Sequence, residues 1–145
     1  MRTFTLDSNC MIAVVSPWHE HHSITVAEFN ARLGRGERLV IAGHALIEAY
    51  AVLTRFPTPY ALRAGEAWSV LKVTFVDQAH RIVGLSGDQY VALLDSFATD
   101  RVLGGRSYDR VIAACSREGK ASVLLTFNRR HFEGYDDGLE IEQPQ

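Results

Sequence analysis

The chain has 145 residues, enough for one ordinary domain rather than two, and is 47% apolar, 10% aromatic and 22% charged. Domains near this length bury roughly 70% of the surface their unfolded chain exposes, and this composition excludes disordered, collagen-like and disulfide-scaffold proteins. Fifteen Lys and Arg against seventeen Asp and Glu give a formal charge of −2, which argues against a uniformly basic nucleic-acid grip but leaves room for a nuclease working through a metal.

In chain order, Thr3 to Leu6 reads as a first strand that stops at Asp7, and Cys10 to Val15 as a short helix closed by Ser16-Pro17. Val26, Phe29 and Leu33 fall at helical spacing, so a second helix is expected from about Ser23 to Leu33, ended by Gly34 to Gly36. Leu39 to Ala42 is a short buried-type strand, followed by an apolar helix from Ala45 to Arg55 that stops before Pro57. After Pro59 the pattern predicts a helix from Ala61 to Leu71 and a strand at Val73 to Val76. Ser86 to Phe97 reads as a helix with Ser86 as N-cap and Tyr90, Leu93, Leu94 and Phe97 as one apolar stripe. Ser107 is positioned to cap a further helix through Arg117, with Gly119 as its stop. Ser122 to Phe127 is the clearest strand, and Leu139 to Ile141 is a short last one. Strands alternating with helices imply an α/β layered fold with a mostly parallel sheet, and ligands of such sheets bind beyond the carboxyl ends of the strands.

That edge directs attention to four residues. Asp7 closes the first strand, and Asn128 directly follows the strand Ser122 to Phe127. A strand-end Asp also serves as an ordinary turn or helix-capping residue. Glu48 is the only Asp, Glu, Lys or Arg in ALIEAYAVLT and shares a helical stripe with Ala45, Ala49 and Val52, with nothing cationic nearby on that face. A carboxylate buried there without a partner costs several kcal/mol; the alternative is a Glu paired at the helix rim. Asp109 lies in the first turn after Ser107, where the helix dipole favours an acid, and shares a face with Ile112, Ala113 and Ser116. Three carboxylates and an amide gathered at one edge form a hard-oxygen set suited to Mg²⁺ or Mn²⁺, whose charge offsets their mutual repulsion.

With these residues in place the chain resembles the PIN-domain ribonucleases, and specifically the VapC toxins of bacterial type II toxin–antitoxin systems. The resemblance rests on FTLDSN with Asp7, HALIEAYAVLTR with Glu48, and GGRSYDRVIAACSREGKASVLLTFNRRHF with Asp109 and Asn128. It implies a PIN-like three-layer α/β/α sandwich over residues 1–145, and a Mg²⁺-dependent ribonuclease in which Mn²⁺ can substitute. Asp7 and Asp109 then correspond to the principal metal ligands, and Glu48 to the third acid, which binds the metal or orients its water. Asn128 stands where many relatives carry a fourth Asp, so it adds an amide without negative charge and leaves open whether one metal or two are held. Thr126, on the same strand face as Asn128 by alternation, is a candidate supporting hydroxyl. Arg106 and Arg129 lie on the expected substrate path. The resemblance further implies RNA substrates such as tRNA or rRNA, a cognate VapB-type antitoxin docked in a hydrophobic groove, and a homodimer. Two other functions fit the same fold: an RNA- or protein-binding scaffold with an impaired site, and a housekeeping RNA-processing nuclease without an antitoxin.

Other conspicuous residues have plainer readings. Cys10 and Cys115 lie far apart with no Cys-x-x-Cys spacing and read as reduced thiols. His19, His21 and His22 beside Trp18 read as a loop into the second helix rather than a zinc site. Arg130 and His131 belong to an exposed turn or meet RNA phosphates, Gly104-Gly105 is a flexible connection, and Tyr60 and Trp68 are core or interface aromatics. A haloacid-dehalogenase-like phosphatase wants a second Asp where Asn9 stands, and Leu6-Asp7-Ser8 lacks the acidic pair of a receiver domain. The longest unbroken apolar run is the six residues from Cys10 to Val15, far below the ~20 of a membrane span. The opening MRTFTLDSN lacks a secretory layout, so a cytoplasmic chain with no membrane association is expected.

Overall fold

The computed structural model describes residues 2–134 and 138–145. Its elements run β1 (Thr3–Leu6), α1 (Ser8–Val15), α2 (His22–Gly34), β2 (Arg38–Ala42), α3 (Gly43–Arg55), α4 (Ala64–Leu71), β3 (Arg81–Val83), α5 (Gly87–Asp100), α6 (Arg106–Glu118), β4 (Val123–Leu125) and β5 (Glu140–Glu142). The strands form one sheet in the order β3-β2-β1-β4-β5, and every pairing is parallel. Helices flank it in an α/β/α arrangement, as expected from the alternating sequence pattern. Phe4 of β1 pairs with Leu39 of β2 on one side and Val123 of β4 on the other.

Parallel strands covered on both faces carry continuous apolar runs rather than alternating ones. Leu39 to Ala42 and Val123 to Leu125 are accordingly shut off from water along their whole length. The chain leaves β1 toward β2 on one side and reaches β4, on the other side, only after four further helices. A crevice therefore opens at the carboxyl end between β1 and β4, where the strand order reverses. On the flank, the buried Arg32 of α2 holds Glu28, Glu37 and, at 2.5 Å, Glu142 of β5, tying that helix to the last strand.

Several sequence-based boundaries shift. Val73 to Val76 is not a strand: Lys72–Val76 continues α4 as a π-helical turn, and the third strand is Arg81–Val83. The β-branched composition of that stretch favours a strand. Leu71 and Phe75, four residues apart, are nevertheless the fully buried pair while Val73 is 60% exposed, which is helical spacing. Helix α4 begins at Ala64 rather than Ala61, and β4 covers only the middle of Ser122 to Phe127. Ser86 does cap α5, exchanging hydrogen bonds with Gln89 in both directions. Its stripe is shallow, however: no residue of α5 is buried, and Tyr90 and Leu94 are exposed. Ser107 does not cap α6. The cap is Gly105, and the Ser107 hydroxyl donates back to the Gly104 carbonyl at 2.6 Å, where Gly104 adopts φ +56°. Among the described residues no helix is long and apolar enough to cross a membrane.

The turn after α6 needs a missing side chain. A Cβ at Gly119 would lie 2.5 Å from Val40 Cγ1 and 3.0 Å from Val83 Cγ2, so the sheet would have to give way. Gly119→Ala is expected to lower unfolding free energy by about 1–3 kcal/mol in urea titration; an unchanged midpoint would mean that β2 and β3 do not hold this helix end as described.

Candidate active site

Asp7 leaves the end of β1 and enters α1 as its N-cap, 1% exposed. Its Oδ1 accepts from the Cys10 backbone N–H at 2.8 Å and its Oδ2 from the Thr126 hydroxyl at 2.5 Å. The capping function and the site function therefore coincide in one side chain. Burial pushes the Asp7 carboxyl up to about 6, with Asp109 adding to the rise and the Thr126 and Cys10 hydrogen bonds opposing it. Thr126 is itself fully buried just beyond β4, and its oxygen accepts from the Asn128 backbone N–H at 2.9 Å. A relay thus runs from Asn128 through Thr126 to Asp7.

Asp109 reaches the same edge from the first turn of α6. Its Oδ2 is 2.8 Å from His131 Nδ1, in the 3₁₀ turn Arg129–Phe132 that follows Asn128. Burial raises the Asp109 pKa, and so does the charge of Glu48, while His131 and Arg106 act to lower it. The acids thus sense one another in pairs, Asp7 with Asp109 and Asp109 with Glu48. Among the described residues no three His, Cys, Asp or Glu side chains are grouped as a finished cation cage. The convergence expected from sequence is electrostatic proximity at one edge rather than a closed ligand shell.

Glu48 projects from the middle of α3, three-quarters shielded from water. The sequence expectation of a face without cationic residues left out a histidine, a group that is cationic only when protonated. His44, one turn earlier, places Nε2 3.3 Å from Glu48 Oε2. Both atoms are sealed from water, and neither makes a hydrogen bond. The Tyr108 ring lies 5.3 Å from that of His44, bringing α3 against the start of α6. Sequence reading missed His44 because histidine was not counted among the charged residues of the helix, although the i,i+4 spacing to Glu48 was visible. It read His131 only as part of a turn or a phosphate contact, because its contact with Asp109 spans 22 residues of chain.

The basic residues flank this edge. Arg106 is the exposed first residue of α6. Arg129 is also exposed and, with Phe127, Asn128, Arg130, His131 and Gln143, lines a cleft of about 290 Å³. His22 Nδ1 lies 2.8 Å from the Ala13 carbonyl and the His21 ring stacks on Phe127 at 4.1 Å, and among the described residues His19, His21 and His22 join no group of potential metal ligands.

A strand-end acid with further acids from the helices beside it, at the switch point of a parallel sheet, is accompanied by a match of residues 4–137 to the PIN domain family. The chain belongs to the PIN-domain family. Its VapC branch supplies the near relatives: over 131 residues the chain is 30% identical to ribonuclease VapC40 of Mycobacterium tuberculosis, covering 90% of each. Solved structures share the fold. VapBC2 of Rickettsia felis, bound to a DNA fragment from its promoter, superposes with a TM-score of 0.68 at 17% identity over 99% of both chains. VapC20 of Mycobacterium tuberculosis, a sarcin–ricin-loop-cleaving toxin, gives 0.62 at 15% identity over 83% of this chain and 86% of that one.

The donor set of this PIN domain fits a hard divalent cation. Repelling carboxylates, one of them fully buried, and an orphaned Glu48 oxygen are the groups such an ion would satisfy. Asp7 Oδ1 accepts from the Cys10 N–H and Oδ2 from the Thr126 hydroxyl, with the Cys10 thiol also beside the carboxyl.

Asp7 makes the stability of the cation-free protein depend on pH. Its carboxyl holds a proton more tightly in the fold than in the unfolded chain, where 3.8 applies, so its contribution to stability is full below that value and is lost as pH rises through about 6. Above that, the ionised group costs roughly 3 kcal/mol. In EDTA, Asp7→Asn is expected to flatten this slope and to raise unfolding free energy at pH 8 by about 1–3 kcal/mol. Urea titrations at pH 5 and pH 8 decide it, and a variant less stable than the parent at pH 8 would contradict the assignment.

Proposed function

We propose that the chain is a Mg²⁺-dependent endoribonuclease acting as the toxin of a type II toxin–antitoxin pair. The reading is carried by the buried Asp7 carboxyl, coupled to Asp109 and through it to Glu48, at the carboxyl edge of a PIN-domain sheet. The identity with a VapC ribonuclease along 90% of the chain supports the same activity.

In this reading Asp7 and Asp109 hold the cation, Mg²⁺ or Mn²⁺, and Glu48 is the third acid of the site. A divalent ion bound there supplies a Lewis acid for the scissile phosphate and lowers the pKa of water. Thr126 and the Cys10 N–H keep the Asp7 oxygens oriented, so the carboxylate does not have to reorganise during the reaction. Asn128 offers an amide oxygen without charge, so the site carries one negative charge fewer than a four-acid site. Arg106 and Arg129 meet phosphates of the RNA, a tRNA or an rRNA, on either side of the acids. Among the described residues the Cys10 thiol lies beside Asp7, and burial together with the Asp7 charge pushes its pKa far up, so it stays protonated and is no nucleophile; in this reading water cleaves the phosphodiester and no covalent enzyme intermediate forms.

The partner is a VapB-type antitoxin. Support comes from the fold shared with a VapBC complex crystallised on promoter DNA. A homodimer in the cytoplasm completes the proposal, with residues 1–145 acting as one domain.

Purified protein incubated with structured RNA and Mg²⁺ is expected to cleave internal bonds, to stop in excess EDTA, and to lose cleavage below detection as Asp7→Asn while remaining folded. Undiminished turnover by that variant would remove the mechanism. In the same preparations Asn128→Asp is expected to tighten Mn²⁺ binding in calorimetry; weaker binding would show that Asn128 does not face the ion.

A further inference from the structure

Asp109 comes from an end of α6 that does little to orient it. The helix has Gly105 as its N-cap with no side-chain cap, Gly104 before it at φ +56°, and an exposed Arg106 as its first residue. Of the neighbouring charges, Glu48 on α3 repels Asp109, and the exposed Arg106 of α6 opposes that effect. The firm contact comes instead from across the crevice. The turn Arg129–Phe132 is pinned by the fully buried Phe132 and by the His131 N–H donating to the Asn128 carbonyl at 2.9 Å. From that anchored turn, His131 Nδ1 reaches Asp109 Oδ2 at 2.8 Å. An ionised carboxylate only accepts hydrogen bonds, so this geometry assigns the proton to Nδ1.

We infer that His131 is a positioning residue: its Nδ1–H fixes one oxygen of Asp109 and so sets the orientation of the carboxylate that would hold a divalent cation. This inference rests on the nuclease reading given above. It completes a symmetry visible in the chain. The six residues from Thr126 to His131 hold both principal acids, Thr126 by a hydroxyl on Asp7 and His131 by an imidazole on Asp109. Partners that orient a metal's ligands in this way change metal affinity or activity by about 10- to 100-fold when removed. Packing contributes little at this position, since the His131 side chain is 38% exposed and the neighbouring Phe132 fills the core.

The two ring nitrogens give a stereochemical test. The Asn amide nitrogen overlies Nδ1 of a histidine, whereas that of Gln overlies Nε2, so only Asn restores the bond to Asp109. Mn²⁺ binding is measured by calorimetry on the full chain and on His131→Asn, His131→Gln and His131→Ala, alongside thermal melting in EDTA and RNA cleavage in Mg²⁺. The expected result is unchanged melting in all three, with affinity for Mn²⁺ and cleavage reduced about 10- to 100-fold in the Ala and Gln variants and recovered to within a few-fold by Asn. Parental Mn²⁺ affinity in the Ala variant, or an Asn variant no better than Gln, would overturn the role of His131 while leaving the nuclease reading intact. A parent chain that neither binds Mn²⁺ nor cleaves RNA would overturn both. Should the Ala variant melt early, the Asn-against-Gln comparison alone carries the decision.

Discussion

A carboxylate sealed from water at the end of the central strand governs how the rest of this molecule is arranged. Asp7 has lost its hydration, and Asp109 stands close enough to raise the cost of its charge. The fold supplies a backbone N–H to one oxygen, a hydroxyl to the other and the Cys10 thiol beside them, and these only partly offset the burial. Among the described residues no lysine or arginine is paired with it, so an ionised Asp7 is the group in this fold that a cation would relieve. The parallel sheet explains why this can happen there. β1 sits between β2 and β4, so its carboxyl end lies between the start of α3 and the segment after β4, at the point where the strand order reverses.

The acids are brought together by helices that enter from different parts of the chain, and the segment after β4 ties them to one another. Thr126 is fully buried, accepts from the Asn128 N–H and donates to Asp7; three residues beyond Asn128, His131 reaches Asp109. Asn128 therefore matters through its backbone as well as its side chain, which links the amide at this position to the placement of the first acid. Glu48 is held differently. Its buried Oε2 and the His44 Nε2 face one another without a hydrogen bond.

Much of this was legible in the order of residues because the relevant signals are local. An acid at the end of a β-branched run, an acid in the first turn of a helix and a single acid in an apolar helix all show in windows of a few residues. Asp7, Asp109 and Glu48 could be singled out on that basis. What local signals could not carry was every interaction that spans the chain. The pairing of Asp109 with His131 requires α6 and the turn after β4 to meet, and nothing in GGRSYD or NRRHF alone announces it. The Val73 to Val76 segment shows the converse failure. Its composition speaks for a strand, but burying Leu71 and Phe75 on one face gains more than local propensity costs, and the chain stays helical through Val76. Helix α5 was legible in its cap and misleading in its stripe, because an apolar face can be written in sequence without the fold covering it.

The central claim, that a divalent cation sits between Asp7 and Asp109 at the β1–β4 edge, is open to a direct structural measurement. Crystals equilibrated with Mn²⁺ and measured at the manganese absorption edge locate the ion without reference to activity. The account expects an anomalous peak within about 2.5 Å of a carboxylate oxygen of both aspartates. A peak elsewhere, or none at this edge under saturating Mn²⁺, would contradict it.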